Sequence, residues 1–249
     1  MGIRLALLCS GAALWIGCGG GGEARPGPLR FHFDEYHIAR VPVDERQAAF
    51  AAQNEYQIAR GEQVKATADI DDNKDKLQVA ENERKMAALG EQSAQSKLNS
   101  AEKSGDLNRI NTAKAEQRAA EMKRRAAEQK ITALKAKRDW LKKYELYAEW
   151  QMYAKEAQFE LAKARVAKEK NIQPRGFRYA DYDSQAGERS RQAQRSKAFA
   201  DQEHQRFLSE KKKYDAMKQD AERAAGGGTG GAGAGAAGGG GDASGGGSN

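Results

Sequence analysis

From about Asp44 onward, small apolar residues recur along the chain with a period of seven. Ala52, Ala59, Ala66, Asn73, Ala80, Ala87, Ala94 and Ala101 fall on one such series. Tyr56, Gln63, Ile70, Leu77, Arg84, Glu91 and Leu98 follow the first seven members four places later. Alternating steps of four and three put both series on one face of a helix, as a coiled-coil seam does. Ser104-Gly105-Asp106 interrupts the pattern. Glycine suits the left-handed residue that closes a helix, and the Asp106 carboxylate can accept the first N–H groups of the next one.

A second seam starts at once. Ala113, Ala120, Ala127, Leu134, Leu141, Ala148, Lys155 and Ala162 step by seven, with Ile110, Gln117, Arg124, Ile131, Arg138, Glu145, Met152, Phe159 and Val166 as companions. Folding the chain about Ser104 sets Leu98 against Ile110, Glu91 against Gln117 and Leu77 against Ile131. It also brings Ala87 near Ala120, Tyr56 near Met152 and Ala49 near Phe159. Apolar layers meet apolar layers and polar meet polar. Arg84 opposite Arg124 is the mismatch, with Glu81, Glu83 and Glu128 close enough to offset it. The expected fold class is all-α: a long antiparallel coiled-coil hairpin over residues 44–170, turning near 104–106, plus a third helix. Sixty residues per arm give a length of about 90 Å. The same seams could instead pair between two chains.

Pro174 and Gly176 punctuate residues 171–183 as a linker. Ala193, Ala200, Phe207, Tyr214 and Ala221 then step by seven in the expected third helix, 184–225. Residues 226–249 are almost wholly Gly, Ala and Ser. Such a tail has little apolar surface to bury against its chain entropy, so disorder is expected.

Charge supports the hairpin. Residues 44–103 carry twelve acids and nine bases, and residues 106–170 carry ten acids and seventeen bases. Oppositely biased helices favour lying side by side, although each exposed pair adds little. The whole chain has a formal charge of +7, and 31% of its residues are charged. Large apolar side chains are too few to fill a broad interior. A basic surface makes contact with an anionic polymer conceivable; a nucleic-acid partner is not expected for an exported protein.

The leader carries the address. Arg4 precedes an apolar run from Leu5 to Ile16, which is too short to span a bilayer. Gly17-Cys18 and four glycines follow. This resembles the leader of bacterial lipoproteins, whose lipobox ends in Gly or Ala and then Cys. Trp15 and Ile16 stand where the family has Leu and a small residue, with Leu14 one place upstream. The resemblance implies a signal peptide over 1–17 and lipidation of Cys18 with a diacylglyceryl group and an N-terminal acyl chain. Several acyl chains give stable anchoring where one is marginal. Gly19 after the cysteine implies the outer membrane, on its periplasmic side. Residues 18–43 then form the anchor and a flexible tether, within which 31–38 (FHFDEYHI) could make a strand or pack on a neighbour. Cys9 falls in the leader, so a mature chain keeps one cysteine and no internal disulfide.

Candidate chemistry is sparse. Trp140, Tyr144, Tyr147, Trp150 and Tyr153 cluster at helical spacing, with Phe159 beyond them. They either widen the core, so that the third helix or residues 31–38 can dock, or offer a binding surface to a partner. His32 and His37 make no defensible metal pattern, and His204 stands alone on a polar helix where solvation is expected. Asp69-Ile70-Asp71-Asp72 lacks the spacing of a calcium loop. Lys123-Arg124-Arg125 and Lys211-Lys212-Lys213 read first as solvated faces, with contact to anionic lipid or wall polymer as the alternative. No catalytic motif and no cofactor is expected. The function expected from sequence is a non-catalytic, lipid-anchored spacer or adaptor in the periplasm with an envelope-protein partner. The alternatives are an adaptor subunit of an efflux or secretion assembly, or a binder of anionic wall polymer.

Overall fold

The computed structural model describes residues 24–226. Its long elements are three helices: α1 (Gln47–Ser104), α2 (Leu107–Glu169) and α3 (Tyr179–Gly226). Two 3-10 turns, Glu35–Ile38 and Val43–Arg46, lead into α1, and no strand occurs among the described residues. The fold is therefore all-α, an antiparallel hairpin joined by a third helix. The leader with Cys18 and the tail beyond Gly226 lie outside the described residues.

The hairpin turn is made locally. Gly105 adopts φ 70° and donates its N–H to the Glu102 carbonyl at 3.2 Å. The left-handed region is open to glycine without steric cost. Asp106 Oδ1 then accepts the N–H groups of Asn108 and Arg109 at 2.9 and 3.2 Å, capping α2. At its other end α2 closes with Asn171 at φ 54°. The Asn171 N–H bonds to the Lys168 carbonyl and the Ile172 N–H to the Ala167 carbonyl, the paired bonds of a Schellman ending. Ile172 packs against the base cluster of Phe33, Ile38, Val41 and Val166.

α1 buries one narrow stripe. Ala59, Ala66, Asn73, Ala80, Ala87, Ala94 and Ala101 are all buried, each seven residues from the last. Small side chains let the α1 and α2 backbones approach closely, so stability comes from length and not from bulk. Asn73 is the polar member, wholly inaccessible, with Nδ2 donating to the Leu134 carbonyl at 3.2 Å. A single polar side chain in such a seam favours one register over slipped alternatives.

α2 is the central helix because it buries two stripes. Ala113, Ile131, Leu141, Ala148, Phe159 and Val166 make the first, and Ala126, Ala133, Ala136, Ala154, Ala157 and Ala164 the second. α1 and α3 both pack along α2, and their backbones do not approach each other. The arrangement is a layer of three antiparallel helices with α2 in the middle. Interhelical ion pairs mark the α1–α2 register: Glu55–Lys155, Glu83–Lys130, Glu91–Arg124 and Lys97–Glu116 at 2.5–3.1 Å. Leu98 and Ile110 meet at the tip as expected. Two expected layers differ. Arg124 does not face Arg84: it reaches Glu91 and Glu128 while Arg84 stays exposed. Gln117 pairs with Gln95 and not Glu91. Long polar side chains reach a turn along the seam toward the best partner, whereas alanines cannot.

α3 begins at Tyr179, five residues before the expected start, because the Phe177–Tyr182 segment packs on the base cluster and does not act as a free linker. From there α3 runs back along α2 to the level of Ala119 and Ala120, which share a groove with Ala221 and Ala225. Beyond that level the α1–α2 tip is two helices thick among the described residues.

Candidate anchoring and docking site

Residues 25–41 do not hang free as a tether. They form a strap laid along α2 and α3, running from mid-rod to the base. Arg25 contacts Glu145 and Glu149 at 3.2 and 3.6 Å. The Pro28 carbonyl accepts from Arg189 Nη2 at 3.1 Å. Leu29 is buried between Ala157 of α2 and Ala186 of α3. Pro26 and Pro28 favour extended backbone in this stretch.

Two buried polar side chains hold the strap. Gln185 Oε1 accepts the N–H groups of Arg30 and Phe31, each at 2.9 Å, and its Nε2 donates to the Phe31 carbonyl at 2.9 Å. One side-chain amide thus supplies the bonds that a neighbouring strand would give. Glu160 Oε2 accepts the Phe33 N–H at 2.6 Å, and its Oε1 pairs with Lys163 Nζ at 2.9 Å. Glu160 and Lys163 are each about 5% exposed. Lys163 also lies 4.4 Å from the Phe159 ring centroid and 3.9 Å from Glu35. The pair is desolvated but almost fully bonded, which makes breaking it costly. The Tyr182 hydroxyl, whose pKa burial raises, donates to the His32 carbonyl at 3.2 Å. His32 itself faces Glu160 at 3.8 Å and the Leu29 carbonyl at 3.2 Å, and His37 packs edge-on to Phe33.

Glu156 sits one turn before Glu160. Burial, with a further contribution from Glu160, raises its pKa, against the lowering effect of His32, Arg189 and Lys163. A carboxyl group whose folded pKa is raised binds more protons folded than unfolded between its two pKa values. Its ionised form therefore opposes folding above that window, and the penalty disappears as pH falls through the ordinary glutamate range. Glu156→Gln should melt at a higher temperature than wild type at pH 7.5. The difference should shrink toward zero below pH 4.5, as followed by circular dichroism.

The aromatic cluster, read from sequence either as a docking face for the third helix and residues 31–38 or as a partner surface, packs largely within the chain. Trp140 stacks on His204 at 4.4 Å and lies parallel to Phe207 at 5.6 Å between centroids. Lys143 Nζ lies 5.7 Å from the Phe199 ring centroid. The Arg189 guanidinium covers Trp150 and Tyr153 at 5.5 and 5.8 Å while holding the strap. Tyr144 and Tyr147 are half-buried and continue the ladder from Trp140 at 5.9 Å steps. Burial first, then Glu62, raises the Tyr144 pKa. Trp140, Trp150 and Tyr153 form the docking face for α3 and the strap, whereas Tyr144 lies within electrostatic reach of Glu62 and Asp69 of α1. His204 is correspondingly a stacked ring and not a solvated one.

Sequence reasoning passed over the second stripe of α2. Ala126, Ala133, Trp140, Tyr147, Ala154 and Leu161 step by seven, and that signal was visible. It also passed over Gln185, Arg189 and the Glu160–Lys163 pair. The pair had only a weak signal, since Gln158 and Arg165 are also polar within the run Ala157 to Ala167. Near the C-terminal end of α3, Ala87 of α1, Ala120 and Ala127 of α2 and Ala221 of α3 line an open groove rimmed by Glu83, Lys123, Lys130 and Lys218. No group of three metal-ligating side chains and no helix long and apolar enough to cross a membrane occurs among the described residues. The chain matches no family model, no curated protein and no solved structure.

Proposed function

We propose that the protein is a non-catalytic, lipid-anchored component of a bacterial envelope, held through Cys18 to the periplasmic side of the outer membrane and acting there as a coiled-coil adaptor for another envelope protein. The observation that carries this reading is the strap. A leader resembling those of lipoproteins precedes it by a few residues, and the strap is bonded to both α2 and α3 through Glu160, Gln185 and Arg189. Tension on Cys18 then passes into the rod through buried contacts.

Metabolic labelling with a fatty-acid analogue tests the anchor. Wild type should be labelled and recovered with membranes, and Cys18→Ser should be unlabelled and released. Equal labelling of the two would end the reading.

One observation favours a second reading, an adaptor that docks by its tip onto an efflux or secretion assembly. α1 and α2 continue past the level of Ala119 without α3 among the described residues. A photo-cross-linker at Ser104 that captures an envelope protein in cells would support it. Capture only from Tyr147 would instead point to the flank.

A further inference from the structure

We infer that the rod lies along the bilayer surface, with one flank of α2 against anionic headgroups, and does not stand upright from it. The inference rests on the Cys18 anchor. It follows from where the strap leaves the rod. Arg25 is held at Glu145 and Glu149, while α2 ends at Glu169. That exit lies roughly 30–36 Å from the base and about 57 Å from the tip at 1.5 Å per residue. From Cys18 to Ala24 is six residue steps, which reach no more than about 21 Å fully extended. A rod standing on its base would need the anchor to descend farther than that, and a rod standing on its tip farther still. While Arg25 keeps its pairs with Glu145 and Glu149, the long axis lies within about 40° of the membrane plane.

The flank is identified by the strap's own track. Leu146, Glu149, Tyr153 and Glu160 lie on the stripe of α2 that the strap covers or borders. Continuing it toward the tip in steps of three and four gives Lys142, Asp139, Lys135, Thr132, Glu128, Arg125, Glu121, Arg118 and Lys114. Lys142, Lys135, Arg125, Arg118 and Lys114 are exposed and outnumber the three acids, so this stripe is net positive. A basic stripe beside a short lipid tether fits an anionic surface, where each cation near the headgroups adds attraction.

The test uses full-length lipidated protein in a supported bilayer of phosphatidylethanolamine and phosphatidylglycerol at 3:1. Neutron reflectometry should give a protein layer no thicker than about 70 Å, the height of the rod tilted by about 40° plus a helix diameter, where an upright rod gives about 95 Å. In the same bilayer, spin labels at Lys135→Cys and Lys137→Cys sit about 200° apart around α2. Relaxation by a headgroup-bound paramagnetic ion should be at least several-fold stronger at position 135. A thicker layer, or equal relaxation at both positions, in protein that carries the fatty-acid label overturns the orientation and leaves the anchor standing. Absence of the label overturns both.

Discussion

Glu160→Ala should lower the unfolding free energy by about 3–5 kcal/mol, the usual cost of stranding one partner of a buried ion pair. The substitution removes the acceptor of the Phe33 N–H and the close partner of Lys163 together. Lys163 is then left with Glu35 at 3.9 Å, whose side chain is mostly exposed. The strap loses its bond at the base, so cleavage at Arg30 by trypsin should accelerate well before global unfolding. A second variant separates charge from packing. Glu160→Met combined with Lys163→Met removes both ions and keeps volume, and it should recover more than half of the loss, because the remaining cost is the unpaired Phe33 N–H. Urea titrations of the three proteins measure this. A double variant as unstable as Glu160→Ala would show that packing, and not the stranded charge, sets the penalty.

Ala80→Leu should cost about 3 kcal/mol, at the upper end for overpacking. Ala80 is wholly inaccessible, and its neighbours along the seam, Asn73 and Ala87, are buried too. Those neighbours hold α1 against α2 at a separation set by a methyl group. A leucine at one layer cannot be accommodated by local widening when the layers on either side stay narrow. Val79→Leu one position away is the control: Val79 is exposed, and its substitution should stay within about 0.5 kcal/mol. Midpoints in urea give the comparison. Equal midpoints for the two variants would mean that the helices pack more loosely than an alanine seam requires.

The same contrast between alanine and long side chains explains how much of the molecule could be read from its residues. The period of seven in α1 is strict because only a small side chain fits, so Ala59 to Ala101 announced the buried stripe and its partner helix. Gly105 and Asp106 announced the turn because their effects act within four residues. Arg124 and Gln117 could not be placed so firmly. A long, flexible side chain selects among partners spread over a turn, and that choice depends on which carboxylates the folded backbone brings near.

Sequence by itself determined three helices, one tight turn and the small-residue seam that joins α1 to α2, since each rests on local geometry or on a repeat. Only the tertiary structure decided that α2 is the middle helix, which of two readings of the aromatic cluster holds for Trp140, Trp150 and Tyr153, and that residues 25–41 are strapped down. The second stripe on α2 has the right period, yet a period names a face and not its occupant. The strap has no period at all. Its path is fixed by Gln185 and Glu160, two side chains more than 120 residues away in the chain, and bonds across such distances exist only once the helices that carry them have packed.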